Sequence, residues 1–359
     1  TTIRIHSSFN KRIKLIMAYS TVPKSTDYFN TKLWTGNSTN STAITGVGFQ
    51  PDMVWIKNRS TTDNHAIFDA IRGATYRIYP NNTDAQIQAT NSLASFDSDG
   101  FTLNDGGDAN GNGENIVGWN WKANGQGSSN TDGSINTTYT SANTTSGCSI
   151  ITYTGTGANA TIGHGLGKVP TFIIFRRYAQ AENWNVYHQS LGAAKSLRLN
   201  ETGAEANDTT ALNSTAPTSS LISLGSSVNT NASGNPMIAW CFSDVQGFSK
   251  AGSYTGNGNA DGTFVYTGFK PAFIMIKNSS SSSDWAMFDN KRQGYNVANN
   301  LLYPNNTTAD TTGTFLDLLS NGFKMRTTAS WSNASGSTYI YMAFGQPIVS
   351  TNGDIATAR

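Results

Sequence analysis

Apolar residues along this chain gather in short runs of about five, bounded by Gly, Pro, Asn and Asp. Three of these runs read as strands. Met53-Val54-Trp55-Ile56-Lys57, Phe172-Ile173-Ile174-Phe175-Arg176-Arg177 and Phe273-Ile274-Met275-Ile276-Lys277 are rich in β-branched and aromatic side chains, which suit a pleated surface. Each follows a proline (Pro51, Pro170, Pro271), and a proline at a strand's start forfeits no interior ladder bond. A second set of runs alternates with period two, most clearly Tyr339-Ile340-Tyr341-Met342-Ala343-Phe344. Turn pairs such as Asp99-Gly100, Asn112-Gly113 and Asn321-Gly322 punctuate the runs. Helical spacing is weak, and it predicts a short helix only over 83–93 and 308–319.

The runs recur in a fixed order. An aromatic-Thr-Gly appears as Trp34-Thr35-Gly36, Tyr153-Thr154-Gly155 and Tyr254-Thr255-Gly256. The proline and apolar strand follow, and each copy closes on GENIVGWNW from Gly113, GNPMIAWCF from Gly234 or GSTYIYMAF from Gly336. The spacing separates repetition from coincidence. The threonines lie 119 and 101 positions apart, the prolines 119 and 101, and the closing glycines 121 and 102. Between the landmarks, Ile78-Tyr79-Pro80-Asn81-Asn82-Thr83 matches Leu302-Tyr303-Pro304-Asn305-Asn306-Thr307, while Leu197-Arg198-Leu199-Asn200-Glu201-Thr202 has lost the proline.

This pattern predicts an all-β chain of three diverged repeats in tandem, each an antiparallel β-sandwich with a jelly-roll-like arrangement whose first and last strands are central. The expected boundaries are an N-terminal arm at 1–30, repeats at 31–123, 148–245 and 246–348, a linker at 124–147 and a tail at 349–359. The linker has almost no core-forming residues and reads as flexible, setting copy one apart. Copies two and three, joined by a short connection, read as rigidly packed.

Composition sharpens this picture. The 359 residues are 37% hydrophobic and only 13% charged, with 35 Gly. The low charge would suit disorder, but 8 Trp, 14 Tyr and 17 Phe supply the apolar mass that disordered chains lack. The net charge of +2 is set by the first sixteen residues, which carry Arg4, Lys11, Arg12, Lys14 and no acid. The rest holds 20 basic against 22 acidic side chains, with no basic stripe for nucleic acid. Met17 reads as an ordinary start, and residues 1–16 as an upstream extension or a short basic arm. No apolar run is long enough to span a membrane as a helix. Cys148 and Cys241 read as two buried free thiols, with one disulfide as the alternative. His6, His65, His164 and His188 have no metal-ligand spacing.

Several segments together resemble repeat-bearing virion proteins, described as structural or tail-fibre-like, of marine phages that infect cyanobacteria and abundant ocean bacteria. They are YTGTGANATIGHGLGKVP (153–170), the strand and IKNRS segment Val54–Ser60, FDSDGFTL (96–103), AYSTVPKSTDYF (18–29) and the terminal IATAR (355–359). The resemblance covers the chain from Met17 onward. It implies a non-enzymatic structural protein at the virion surface or otherwise extracellular, homo-oligomeric, with other virion proteins as partners and a host surface glycan as a target. The alternatives are a carbohydrate-binding adhesion protein and, ranked last, an enzyme on polysaccharide.

Chemistry-bearing residues are sparse. Asp69 and Asp289 hold equivalent positions, but copy two has His188 there, so they read as strand-end residues bonding a turn, not as a glycosidase pair. Asp97, Asp99, Asp105 and Asp108 lie in oxygen-rich loops that would suit calcium, without the spacing of an EF-hand. Loops of this composition also serve tight turns. Trp34, Trp184, Trp285 and Trp331 could each face a sugar ring. Trp184 and Trp285 read as core, whereas Trp331, in the polar stretch TTASWSNASGS, is the expected exposed ligand-binding residue.

Overall fold

The computed structural model describes residues 20–292 and 296–349. The basic segment 1–16 and the tail from residue 350 lie outside the described residues. Nearly all regular structure is strand, with helical turns only at Ser25–Asp27, Gly107–Asn110 and Val228–Asn231 among the described residues. The fold is all-β, built of antiparallel strands in facing sheets.

One sheet order occurs three times. In module 1, Phe29–Thr35 pairs with Asn115–Trp121, which pairs with Met53–Asn58, and Ala66–Asp69 completes the sheet. Module 2 repeats this order with Cys148–Thr154, Pro236–Ser243, Pro170–Arg177 and Asn185–His188. Module 3 repeats it with Ser249–Thr255, Thr338–Pro347, Phe269–Asn278 and Trp285–Asp289. A smaller sheet faces each one and pairs the module's second strand with its next-to-last: Thr42–Thr45 with Gly100–Leu103, Ala160–Gly163 with Leu221–Leu224, and Phe264–Tyr266 with Gly322–Met325. First with last and second with next-to-last, in opposite sheets, is the wrapping of a jelly roll. The third and fourth strands depart from it by returning as a hairpin within one sheet. The last strand is central, as expected. The first is an edge strand in modules 1 and 3, which corrects the expectation that both are central.

Strand alternation explains why the apolar runs look continuous: both faces of each main sheet are buried. In the closing strand of module 2, Met237, Ala239 and Cys241 face that module's own core, while Ile238, Trp240 and Phe242 face the other way. Module 3 alternates identically, with Tyr339, Tyr341 and Ala343 inward and Ile340, Met342 and Phe344 outward. The outward faces of all three main sheets meet in one central core. At its middle the three equivalent aromatics Trp121, Phe242 and Phe344, each eight positions after a closing glycine, touch one another pairwise. Their ring centroids are 6.1, 5.6 and 5.8 Å apart, so a pseudo-threefold axis runs through the triangle.

Module 1 is therefore not set apart. Phe29, Trp55, Trp119 and Trp121 lie in the same central core as the residues of modules 2 and 3. Nor is 124–147 a loose connector. Tyr139–Asn143 adds a strand to the outside of the module 2 sheet, pairing Tyr139 with Thr152 and Asn143 with Cys148. The two regions expected to hold short helices also differ. Thr311–Leu319 is a nine-residue strand whose Leu316 and Leu318 turn inward with period two, and 83–93 holds only the two-residue strand Ile87–Gln88 before the strand that starts at Leu93. Cys148 and Cys241 are free thiols on opposite faces of one sheet, the first in the central core and the second in the module 2 core.

The recurrent landmarks are one device used three times. Asn110, Asn231 and Asn333 are fully buried, each three positions before a closing glycine. Each Oδ1 accepts from the backbone N–H that follows the aromatic-Thr-Gly, at Asn37 (3.0 Å), Thr156 (2.7 Å) and Asn257 (3.0 Å). Each Nδ2 donates to two carbonyls, such as Ala158 (2.6 Å) and Gly225 (2.7 Å) in module 2. The landmark aromatic (Trp34, Tyr153 or Tyr254) donates its polar hydrogen to the carbonyl just before the asparagine, on Ala109, Thr230 or Ser332. The landmark glycine is needed for close approach: a Cβ at Gly155 would sit 2.3 Å from the Ala232 carbonyl oxygen, and one at Gly256 2.3 Å from that of Ala334.

Candidate functional site

The structure disperses the residues singled out by sequence. Asp97 accepts from Ser95 Oγ (2.8 Å) and Thr102 Oγ1 (2.7 Å). Asp99 accepts from the Gly46 and Gly48 backbone N–H groups at 2.9 and 2.7 Å, which hold its carboxyl below the usual range. Asp108 pairs with Arg77, and Asp105 is exposed with its backbone N–H on Asn40 Oδ1 (3.2 Å). Among the described residues no three His, Cys, Asp or Glu side chains converge as a metal site. Asp69 and Asp289 are buried and paired with Arg72 and Arg292, both at 2.6 Å.

Trp331 corrects the expectation of an exposed ring. It is half-buried against module 3's core, with its ring 5.7 Å from Phe288 and 5.5 Å from Phe315. Its polar neighbours Ser332 and Asn333 are themselves buried, with Asn333 held by hydrogen bonds, while the ring fills the edge of the core. Trp184 and Trp285 are buried in the central core, and Trp34 is half-buried against Phe101 (5.6 Å).

The sites that differ among the modules lie at their junctions. Equivalent backbone bonds tie each module to the next: Gln86 N–H to Tyr178 C=O (2.7 Å), Glu205 to Ser279 (2.8 Å) and Asp310 to Arg59 (3.1 Å). Buried cations at one repeat position reinforce two of these junctions. Arg176 donates to the Thr83 and Asp84 carbonyls at 2.7 and 2.6 Å, and Lys277 donates to the Thr202 carbonyl at 3.0 Å. Burial pulls Lys277, and Lys57 at the same position of module 1, down to about 8. The junction of modules 3 and 1 is closed by ions, since Asp310 bridges Arg59 (2.6 Å) and Arg292 (2.7 Å).

At the junction of modules 1 and 2 the same positions carry Tyr178 and Gln86, and the space stays open as a cleft of about 250 Å³. Three tyrosines, Tyr76, Tyr139 and Tyr178, line it with Gln86, Thr138 and Thr152. Tyr139 and Tyr178 pack their ring bodies on the central core, so their positions are set before anything enters. Arg72 forms part of the wall, but its charge is spent: Nε donates to Asp69 (2.6 Å), Nη2 to the Ile67 carbonyl (3.2 Å), and its guanidinium lies 5.8 Å over the Trp240 ring. Burial raises the Tyr178 phenol above its ordinary value, so the ring is neutral near pH 7. Thr152 is 4% exposed, and its Oγ1 has no hydrogen-bond partner. A larger hollow on module 2, about 450 Å³, is lined by residues such as Ser196, Asn207 and Asp208 and holds no aromatic ring.

Sequence reasoning missed this cleft because no recurrent landmark contributes to it. Its walls come from five separated segments, and the one strong signal, Tyr139, lies in the stretch read as a linker. No curated protein and no solved structure matches the chain. A family model described as a domain of unknown function, DUF7483, matches residues 24–347, which span all three modules, and the chain belongs to that family.

Proposed function

We propose that the chain is a non-enzymatic structural protein of a phage particle's surface that contributes to host attachment. The observation that carries this reading is the closed ring, in which three sandwich modules share one aromatic core through their main sheets. A ring of this kind is a stiff platform whose polar, weakly charged loops are held outward by a scaffold. Its likeness in sequence to phage virion proteins and its low charge support the same reading. Further copies of the chain and other virion proteins are the partners in this proposal, and repetition of a weak site on one particle raises its effective affinity. A cellular glycan-binding adhesion protein is the second reading, favoured by the tyrosine-lined cleft alone. Immunogold electron microscopy of particles purified from a host culture tests the proposal. Label on intact particles is expected, and label confined to cell envelopes would overturn it.

A further inference from the structure

We propose that the cleft between modules 1 and 2 binds a neutral pyranose unit of a surface polysaccharide. The proposal rests on the attachment reading and supplies its ligand class.

Four observations converge on it. First, the equivalent space at the junction of modules 3 and 1 is filled by ion pairs, whereas this cleft is open. The position of Tyr178 holds Ser279 at one junction and Arg59 at another, and that of Gln86 holds Glu205 and Asp310, where Arg59, Asp310 and Arg292 close the space with ion pairs. Second, one wall is an addition. Tyr139 and Thr138 come from the extra strand Tyr139–Asn143 and the residue before it, and among the described residues the main sheets of modules 1 and 3 have no such strand outside their first.

Third, the lining has the chemistry of a sugar site. Phenol rings present apolar faces to the C–H groups of a pyranose and a hydroxyl at the rim, and they lose little rotamer freedom on binding. Thr138 and Thr152, with Gln86 whose Oε1 accepts from Arg72 Nη1 (3.3 Å), add neutral polar groups in the same space. Thr152, whose buried Oγ1 has no hydrogen-bond partner, borders the same space. Fourth, charge and size select within the class. Arg72 is neutralised by Asp69, so no free cation awaits a carboxylate or sulfate. A volume of about 250 Å³ falls just below the roughly 300–1,000 Å³ of pockets for drug-sized ligands, which suits one or two sugar rings.

Saturation-transfer NMR and titration calorimetry on the full chain test this with a panel of neutral gluco-, manno- and galacto-oligosaccharides, with oligogalacturonate as the charged comparator. At least one neutral saccharide is expected to bind saturably. Tyr178→Ala and Tyr139→Ala should weaken it at least tenfold, and Trp331→Ala should leave it unchanged. Because the alanine variants remove packing, Tyr139→Phe and Thr152→Val serve as near-isosteric companions, expected to weaken binding several-fold with an unaltered melting curve. Binding that survives all four cleft substitutions would overturn the proposal, as would binding of oligogalacturonate alone or of no saccharide in the panel. Those failures leave the particle-labelling result untouched. Conversely, cleft binding by a chain absent from particles would sink the virion reading while upholding the site.

Discussion

Asn231 holds one backbone N–H and two backbone carbonyls from a fully buried position, and Asn110 and Asn333 repeat its role in the other modules. Replacing it by Ala strands one backbone N–H and two carbonyls away from water, so Asn231→Ala should cost about 2–4 kcal/mol in urea unfolding. Asn231→Asp should also destabilise, since a carboxylate cannot donate to the Ala158 and Gly225 carbonyls. The buried histidines supply the pH dependence. His188 accepts from Ser190 N–H through Nδ1 (3.1 Å) and lies 3.1 Å from the Tyr341 carbonyl through Nε2, an arrangement that suits neutral imidazole. His164 is held the same way between Leu166 N–H (3.2 Å) and the Thr218 carbonyl (3.1 Å). Burial pushes His188 down to about 4 and lowers His164 and His65 as well. A folded value below the unfolded one means the unfolded chain binds more protons, so this stability is present above about pH 6.5 and is lost as pH falls. Between pH 6.5 and 4 His188 alone accounts for up to about 3 kcal/mol. Urea melts at pH 7 and 5 should show the drop, and His188→Gln should flatten it.

At the scale of elements, the apolar runs, the prolines that open them and the period-two closing strands were legible because they answer to packing on a pleated surface. What the pattern hid was the second face. A run such as Phe172-Ile173-Ile174-Phe175 is apolar throughout, and nothing within it tells whether its outer face meets solvent, a neighbour or a ring. The segment 124–147 misled for the opposite reason. It is held by polar bonds, with Asn143 Nδ2 on the Ala123 carbonyl (3.1 Å) and Oδ1 accepting from Thr145 and Ser146 N–H at 3.1 and 3.0 Å, and a hydrophobicity pattern cannot register these. The cleft was illegible because residues far apart in the chain build it and none belongs to a repeated motif. The junctions themselves are testable. Asp310→Asn removes the charge that joins Arg59 to Arg292 between modules 3 and 1, and leaves a buried guanidinium with less compensation. A loss of about 2–4 kcal/mol is expected, with the cost concentrated in the unfolding rate if the junction forms late in folding.

For the whole molecule, the three modules are one structural unit. Each main sheet turns an apolar face toward the shared centre, so a module removed from the ring would present residues such as Trp240 and Phe242 to water. Fully burying one such side chain contributes about 1.5–3 kcal/mol, and several from each module meet at the centre. The family model likewise runs across all three modules from residue 24 to 347. Substitutions in the central triangle should therefore weaken the whole chain: Phe344→Ala should cost about 3–5 kcal/mol and lower a single melting temperature, without detaching one module. Differential scanning calorimetry of the intact chain tests the shared core most directly. One endotherm is predicted, with a calorimetric enthalpy about equal to the van't Hoff enthalpy, as for a single cooperative unit. Separate transitions, or a calorimetric enthalpy about three times the van't Hoff value, would mean that the modules unfold independently and would contradict the account.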